Sequence, residues 1–75
     1  MLPYRKPLEV DLERIRTLFL QMCVRAEAML VQAMRAVTER DPHLARHVMG
    51  MDREIDDLEV EVDSRCLKCL ALRNP

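Results

Sequence analysis

Apolar residues recur along this chain at steps of four and three. In the first half the series is Leu8, Leu12, Ile15, Phe19, Met22, Ala26, Met29, Ala33 and Ala36. Such spacing keeps one face of a helix apolar over about four heptads and predicts a helix from about 8 to 40. Leu18, Leu30, Met34 and Val37 widen the stripe to one side. A stripe that broad fits contact with more than one neighbouring helix. The second half repeats the rhythm with Leu44, Val48, Met51, Ile55, Leu58, Val62, Cys66 and Cys69, which predicts a helix from about 42 to 72.

Between the two lies Glu39-Arg40-Asp41-Pro42. The Asp41 carboxylate is suited to accept from free amides at the start of the second helix. Pro42 fits the first helical position, where its missing N–H costs nothing. It also biases Asp41 away from the α region and so ends the first helix. A turn at 41–42 leaves room only for an antiparallel hairpin. Gly50 falls inside the second helix, where glycine costs roughly 1 kcal/mol against alanine. It is expected to mark a close-packing point or a mild kink. Each helix would be about 45–50 Å long, and two such helices bury one seam and little more. The fold class is therefore all-α, an antiparallel hairpin that forms part of a three- or four-helix bundle.

Composition supports this and narrows function. Among 75 residues there is one glycine, one Tyr and one Phe, and the formal net charge is −1. Nothing resembles a basic, aromatic-bearing surface for nucleic acid. No apolar run reaches the ~18 residues of a membrane span, and MLPYRKP is not followed by the apolar core of a signal peptide. Three cysteines, an odd number, argue against a closed disulfide framework and for a reducing cytoplasm. Any membrane association would then run through a partner.

Charge is unevenly placed. Asp52, Glu54, Asp56, Asp57, Glu59, Glu61 and Asp63 stand against Arg53 alone, and the chain turns basic after Arg65. At about 100° per residue, Asp52, Asp56, Glu59 and Asp63 form one strip roughly a quarter turn from the apolar seam. Asp52/Asp56 and Glu59/Asp63 are like-charge pairs at i,i+4, each costing a few tenths of a kcal/mol in an isolated helix. A hard cation held by carboxylate oxygens would remove that repulsion. The plain alternative is a solvated acidic face. One helix supplies only half a site, so a metal would need ligands from a second helix.

The segments Arg40-Asp41-Pro42-His43-Leu44-Ala45, Val48, and Met51-Asp52-Arg53-Glu54-Ile55-Asp56-Asp57-Leu58-Glu59 resemble the PhoU family. In that family an "RDPELA…V…DREID…LE" segment follows the first helix. The ending Cys66-Leu67-Lys68-Cys69-Leu70-Ala71-Leu72-Arg73-Asn74-Pro75 is similar to the family's "C…LALRQP" close, and Leu8 through Met22 to its opening. The resemblance covers nearly the whole chain. It implies a tandem three-helix-bundle regulator that damps the phosphate-starvation response with a phosphate ABC transporter and a sensor histidine kinase. It also implies iron or another divalent or trivalent metal bound through E/D-x-x-x-D motifs. Asp52-x-x-x-Asp56 matches that motif position by position, and Glu59 joins it from the strip. Two features depart from the family: its third helix, with a second acidic motif, should follow Pro75, and Cys23 stands where glycine is usual.

Other candidates have plainer readings. Cys66-x-x-Cys69 lies on the apolar seam at a helix C-terminus, whereas a redox pair sits at an N-terminus and zinc wants two further ligands. Core thiols are the expectation for Cys66, Cys69 and Cys23 alike. His43 and His47 share a helical face away from the strip and are expected at the surface. No nucleophile–base pair or glycine-rich phosphate loop is present, so no enzyme is expected. The expectation is a cytoplasmic, homo-oligomeric regulator of phosphate uptake and signalling acting through protein contacts. Its metal ligands would be Asp52, Asp56 and Glu59. The alternative is a self-associating structural hairpin with no metal and no signalling role.

Overall fold

The computed structural model describes residues 6–73. It contains two helices, α1 (Pro7–Glu39) and α2 (Pro42–Arg73), packed side by side as an antiparallel hairpin. Pro7 opens α1 behind an extended Lys6, and Glu9 lies in its first turn, where a carboxylate complements the helix dipole. The far end of α1 closes with two bonds. The Arg40 N–H donates to the Val37 carbonyl (3.3 Å) and the Asp41 N–H to the Ala36 carbonyl (3.0 Å). This pair of bonds requires a left-handed residue at Arg40 (φ 51°, ψ 46°), a place usually filled by glycine. Asp41 Oδ1 then accepts from the amides of His43 (3.0 Å) and Leu44 (3.1 Å), capping α2 as the Asp-Pro pair predicts.

The hairpin is one helix thick, with extents of 52 × 31 × 13 Å. It exposes 6479 Å², where a compact monomer of its 8.8 kDa mass exposes about 4,800 Å². Among the described residues only Leu18, Ala36 and Cys69 are buried. A single layer has no second layer to close its core.

The inner face of α2 follows the predicted seam. Leu44, Val48, Met51, Ile55, Leu58, Val62 and Cys66 are half-buried, and Cys69 is buried. The inner face of α1 follows its predicted seam at seven of nine positions. Its contact line runs through Leu8, Asp11, Ile15, Leu18, Met22, Ala26, Met29, Ala33 and Ala36, whereas Leu12 and Phe19 are each 49% exposed. The apolar stripe of α1 is wider than one helix can cover, so α2 seats along one edge of it. Two further expectations fail. Cys23 is exposed, because it lies on the uncovered part of that stripe. Gly50 is no close-packing point: an added Cβ meets nothing within 4 Å, and α2 runs through it as continuous helix.

Candidate functional site

An ion pair between the helices fixes which of their sides share a face of the hairpin. Arg25 Nη1 on α1 lies 2.6 Å from Glu54 Oε2 on α2. Each residue flanks its own helix's inner seam on one side, so the opposite flanks of the two helices also share a face. On α1 that opposite flank carries Leu12, Phe19, Leu30 and Val37, all exposed. On α2 it carries Asp52, Asp56, Glu59 and Asp63, also all exposed. The second face is thus an uncovered apolar strip lying beside an acidic strip.

The two flanks of α2 differ in how their charge is met. Glu54 pairs with Arg25, and Glu61 receives Arg65 Nη2 at 3.2 Å. On the other flank, none of Asp52, Asp56, Glu59 and Asp63 forms an ion pair or hydrogen bond through its side chain among the described residues. The repulsion foreseen at i,i+4 is therefore left standing.

A metal bound by carboxylates has to be tested against this arrangement. Asp52, Asp56 and Glu59 come from a single helix and stand in the open. Among the described residues, no group of three or more His, Cys, Asp or Glu side chains converges to hold an ion. These carboxylates do not form a cage by themselves; they offer one wall. His43 and His47 are exposed and take no part in such a group. Cys66 and Cys69 are free thiols on the inner seam, packed as small apolar groups.

A cleft at the open end of the hairpin is lined by Asp11 of α1 and by Asp57, Glu61, Arg65 and Lys68 of α2. Two bases stand there among three acids, and Arg65 is already held by Glu61. Their formal charges sum to −1. No helix among the described residues is long and apolar enough to cross a membrane.

One feature escapes a reading based on the main seam. Val10, Thr17, Val24, Val31 and Thr38 recur every seven residues along α1, all β-branched and all exposed. By helical arithmetic they run along the side of α1 turned away from α2. Leu20 and Met34 stand beside them, exposed as well. The strict seven-residue period was the available signal. Glu13, Thr17 and Glu27, interleaved in it, weaken its apolar contrast.

Comparison with known proteins gives a consistent picture. The PhoU domain family matches residues 19–75. A phosphate-specific transport system accessory protein PhoU homolog from Clostridium acetobutylicum is 30% identical over 71 residues, 95% of this chain and 32% of the relative. Accessory proteins named PhoU from Edwardsiella tarda and Escherichia coli K12 are 35% and 34% identical over 65 residues, 87% of this chain and 27% of each relative. The chain thus spans a third or less of the length of these relatives. No solved structure gives a significant match.

Proposed function

The chain belongs to the PhoU domain family, and from that premise we propose that it is a hairpin of a regulator of phosphate uptake and phosphate-starvation signalling. The match to the family over residues 19–75 carries this reading, and its relatives are named as accessories of the phosphate-specific transport system. Those names support a non-enzymatic role. The hairpin acts by offering surface to other proteins, because most of its apolar side chains have nothing to pack against within it. The partners it would serve are the phosphate ABC transporter and a sensor histidine kinase. Such a protein would work in the cytoplasm, reaching the membrane only through the transporter.

In this reading Asp52 and Asp56, with Glu59, supply one wall of a site for iron or another divalent or trivalent metal. Carboxylates from a second helix supply the rest. The bare charge of this flank supports the idea, since a hard cation would offset repulsion that no side chain among the described residues offsets. Replacing both Asp52 and Asp56 by Ala should then abolish metal retained through purification from the complete protein. Unchanged metal content would remove these residues from the site.

The functional test is genetic. Deleting the segment that encodes this chain from its own host should switch on a phosphate-starvation reporter in phosphate-rich medium. A reporter that stays silent, and still responds normally on starvation, would overturn the reading.

A further inference from the structure

We propose that Cys66 and Cys69 together bind one soft, thiol-seeking cation, Cu(I), at the open end of the hairpin. The two residues stand three apart on an uninterrupted stretch of α2, so they project from one face of the helix. Both are free thiols on the inner seam, Cys66 half-buried and Cys69 8% exposed. Cys69 also lines the cleft shared by Asp11, Arg65 and Lys68. That cleft gives an ion a way to a sulfur otherwise shielded from solvent, and its net negative lining favours entry of a cation.

Spacing decides what this pair can do. Side chains three apart on a helix have their Cβ atoms about 5–6 Å from each other. A disulfide needs about 3.5–4.5 Å, so a bond between these two sulfurs would deform the helix. Two metal–sulfur bonds of roughly 2.3 Å each span about 4.6 Å between sulfurs, which the helix accommodates as it stands. The number of ligands then selects the metal. Zinc wants four, and among the described residues no third His, Cys, Asp or Glu converges on the pair. Thiolates favour Cu(I), a closed-shell ion that is stable with two sulfurs in line.

Binding is a plain exchange. Each thiol releases its proton, each sulfur gives one electron pair to the ion, and nothing is oxidised or reduced. The product carries one net negative charge. Arg65 is held by Glu61. Lys68, in the same cleft and without an ion pair among the described residues, is the cation placed to offset that charge. Asp52, Asp56 and Glu59 suit hard ions, which do not compete for sulfur, so the proposal stands apart from that strip and from the phosphate reading.

The test is titration of the reduced full chain with Cu(I) under argon, against a coloured Cu(I) chelator. One equivalent should be withheld from the chelator and should bring a near-ultraviolet thiolate-to-copper absorption band. Cys66→Ala and Cys69→Ala keep the seam apolar. Each should weaken retention by more than about 100-fold, beyond the loss from removing an outer-shell partner of a metal ligand. Cys23→Ala should change nothing. Circular dichroism of each variant separates loss of the site from loss of the fold. X-ray absorption of the loaded wild type, which needs no variant, should show two sulfur ligands and no others. A wild type that yields all its copper to the chelator would overturn the proposal. So would retention that survives Cys66→Ala or Cys69→Ala, retention that falls with Cys23→Ala, or loss of helicity on loading.

Discussion

The two helices of this hairpin have similar inner faces and opposite outer ones. Nine of the fourteen large apolar side chains left exposed lie on α1, so its uncovered surface is the one with most to gain from further contact. The outer surface of α2 carries Asp52, Arg53, Asp56, Asp57, Glu59 and Asp63, all exposed. The shared face repeats the contrast, with Leu12, Phe19, Leu30 and Val37 beside a strip of bare carboxylates. Inner seams hold a hairpin together; outer surfaces decide what it is for. Here the uncovered side of α1 is mainly apolar, while that of α2 is acidic from Asp52 to Asp63.

The largest break in this comparison comes from the one residue that ties the helices together most tightly. Leu18 is 2% exposed, and Leu18→Ala should cost about 3 kcal/mol. In a chain this small that is a large share of any stability it has, read as loss of cooperative thermal unfolding. A truncation of similar size on the outside, Val24→Ala, should leave the melting of the isolated hairpin within about 0.5 kcal/mol of wild type. If the two cost the same, the inner and outer faces are not distinct.

Intermediate effects sharpen the view of α2, whose outer face has little packing to lean on and so depends on local helix energetics. Asp41→Ala removes the acceptor of the His43 and Leu44 amides and should cost about 1 kcal/mol. Gly50→Ala should gain about 1 kcal/mol, because the added methyl meets open space. Equilibrium urea unfolding measures both, and a destabilising Gly50→Ala would show that something packs on α2 there. Arg40→Gly, at the left-handed turn residue, should gain up to about 1 kcal/mol by relieving its positive φ.

The smallest effects compare the two flanks of α2. Arg25 and Glu54 are half exposed or more, so replacing Arg25 by Met should cost no more than about 0.5 kcal/mol. Asp56→Asn should instead stabilise the helix by a few tenths of a kcal/mol by removing a like-charge neighbour. Added salt should shrink both differences. Destabilisation by Asp56→Asn would mean that the carboxylate has a favourable partner.

How much was legible beforehand depended on how local each cause is. The Asp41-Pro42 boundary was readable because cap and turn involve neighbours in sequence. The seam of α2 was readable because that helix has one apolar stripe, and one stripe can face only one way. On α1 the stripe is broader, and choosing Leu18 over Phe19 as its centre depends on where a separate helix comes to rest. Helical spacing places Asp52, Asp56 and Glu59 on one strip, yet whether a carboxylate is paired depends on residues far along the chain. Glu54 finds Arg25, 29 residues away, and Asp56 finds no counterpart among the described residues. The seven-residue period of Val10, Val24 and Val31 was present in the sequence, masked by the stronger rhythm of the inner seam.

Methionine oxidation by dilute peroxide tests the contrast between outer surfaces most directly, because the two helices carry matched reporters. Met34 on the outer side of α1 is 63% exposed in the hairpin and Met49 on α2 is 61% exposed, so an isolated hairpin would oxidise both at nearly the same rate. If the outer surface of α1 is covered by protein in the complete regulator, Met34 should react several-fold more slowly than Met49 there, and Val24→Glu should bring the rates together. Equal rates in the complete wild-type protein would contradict the account.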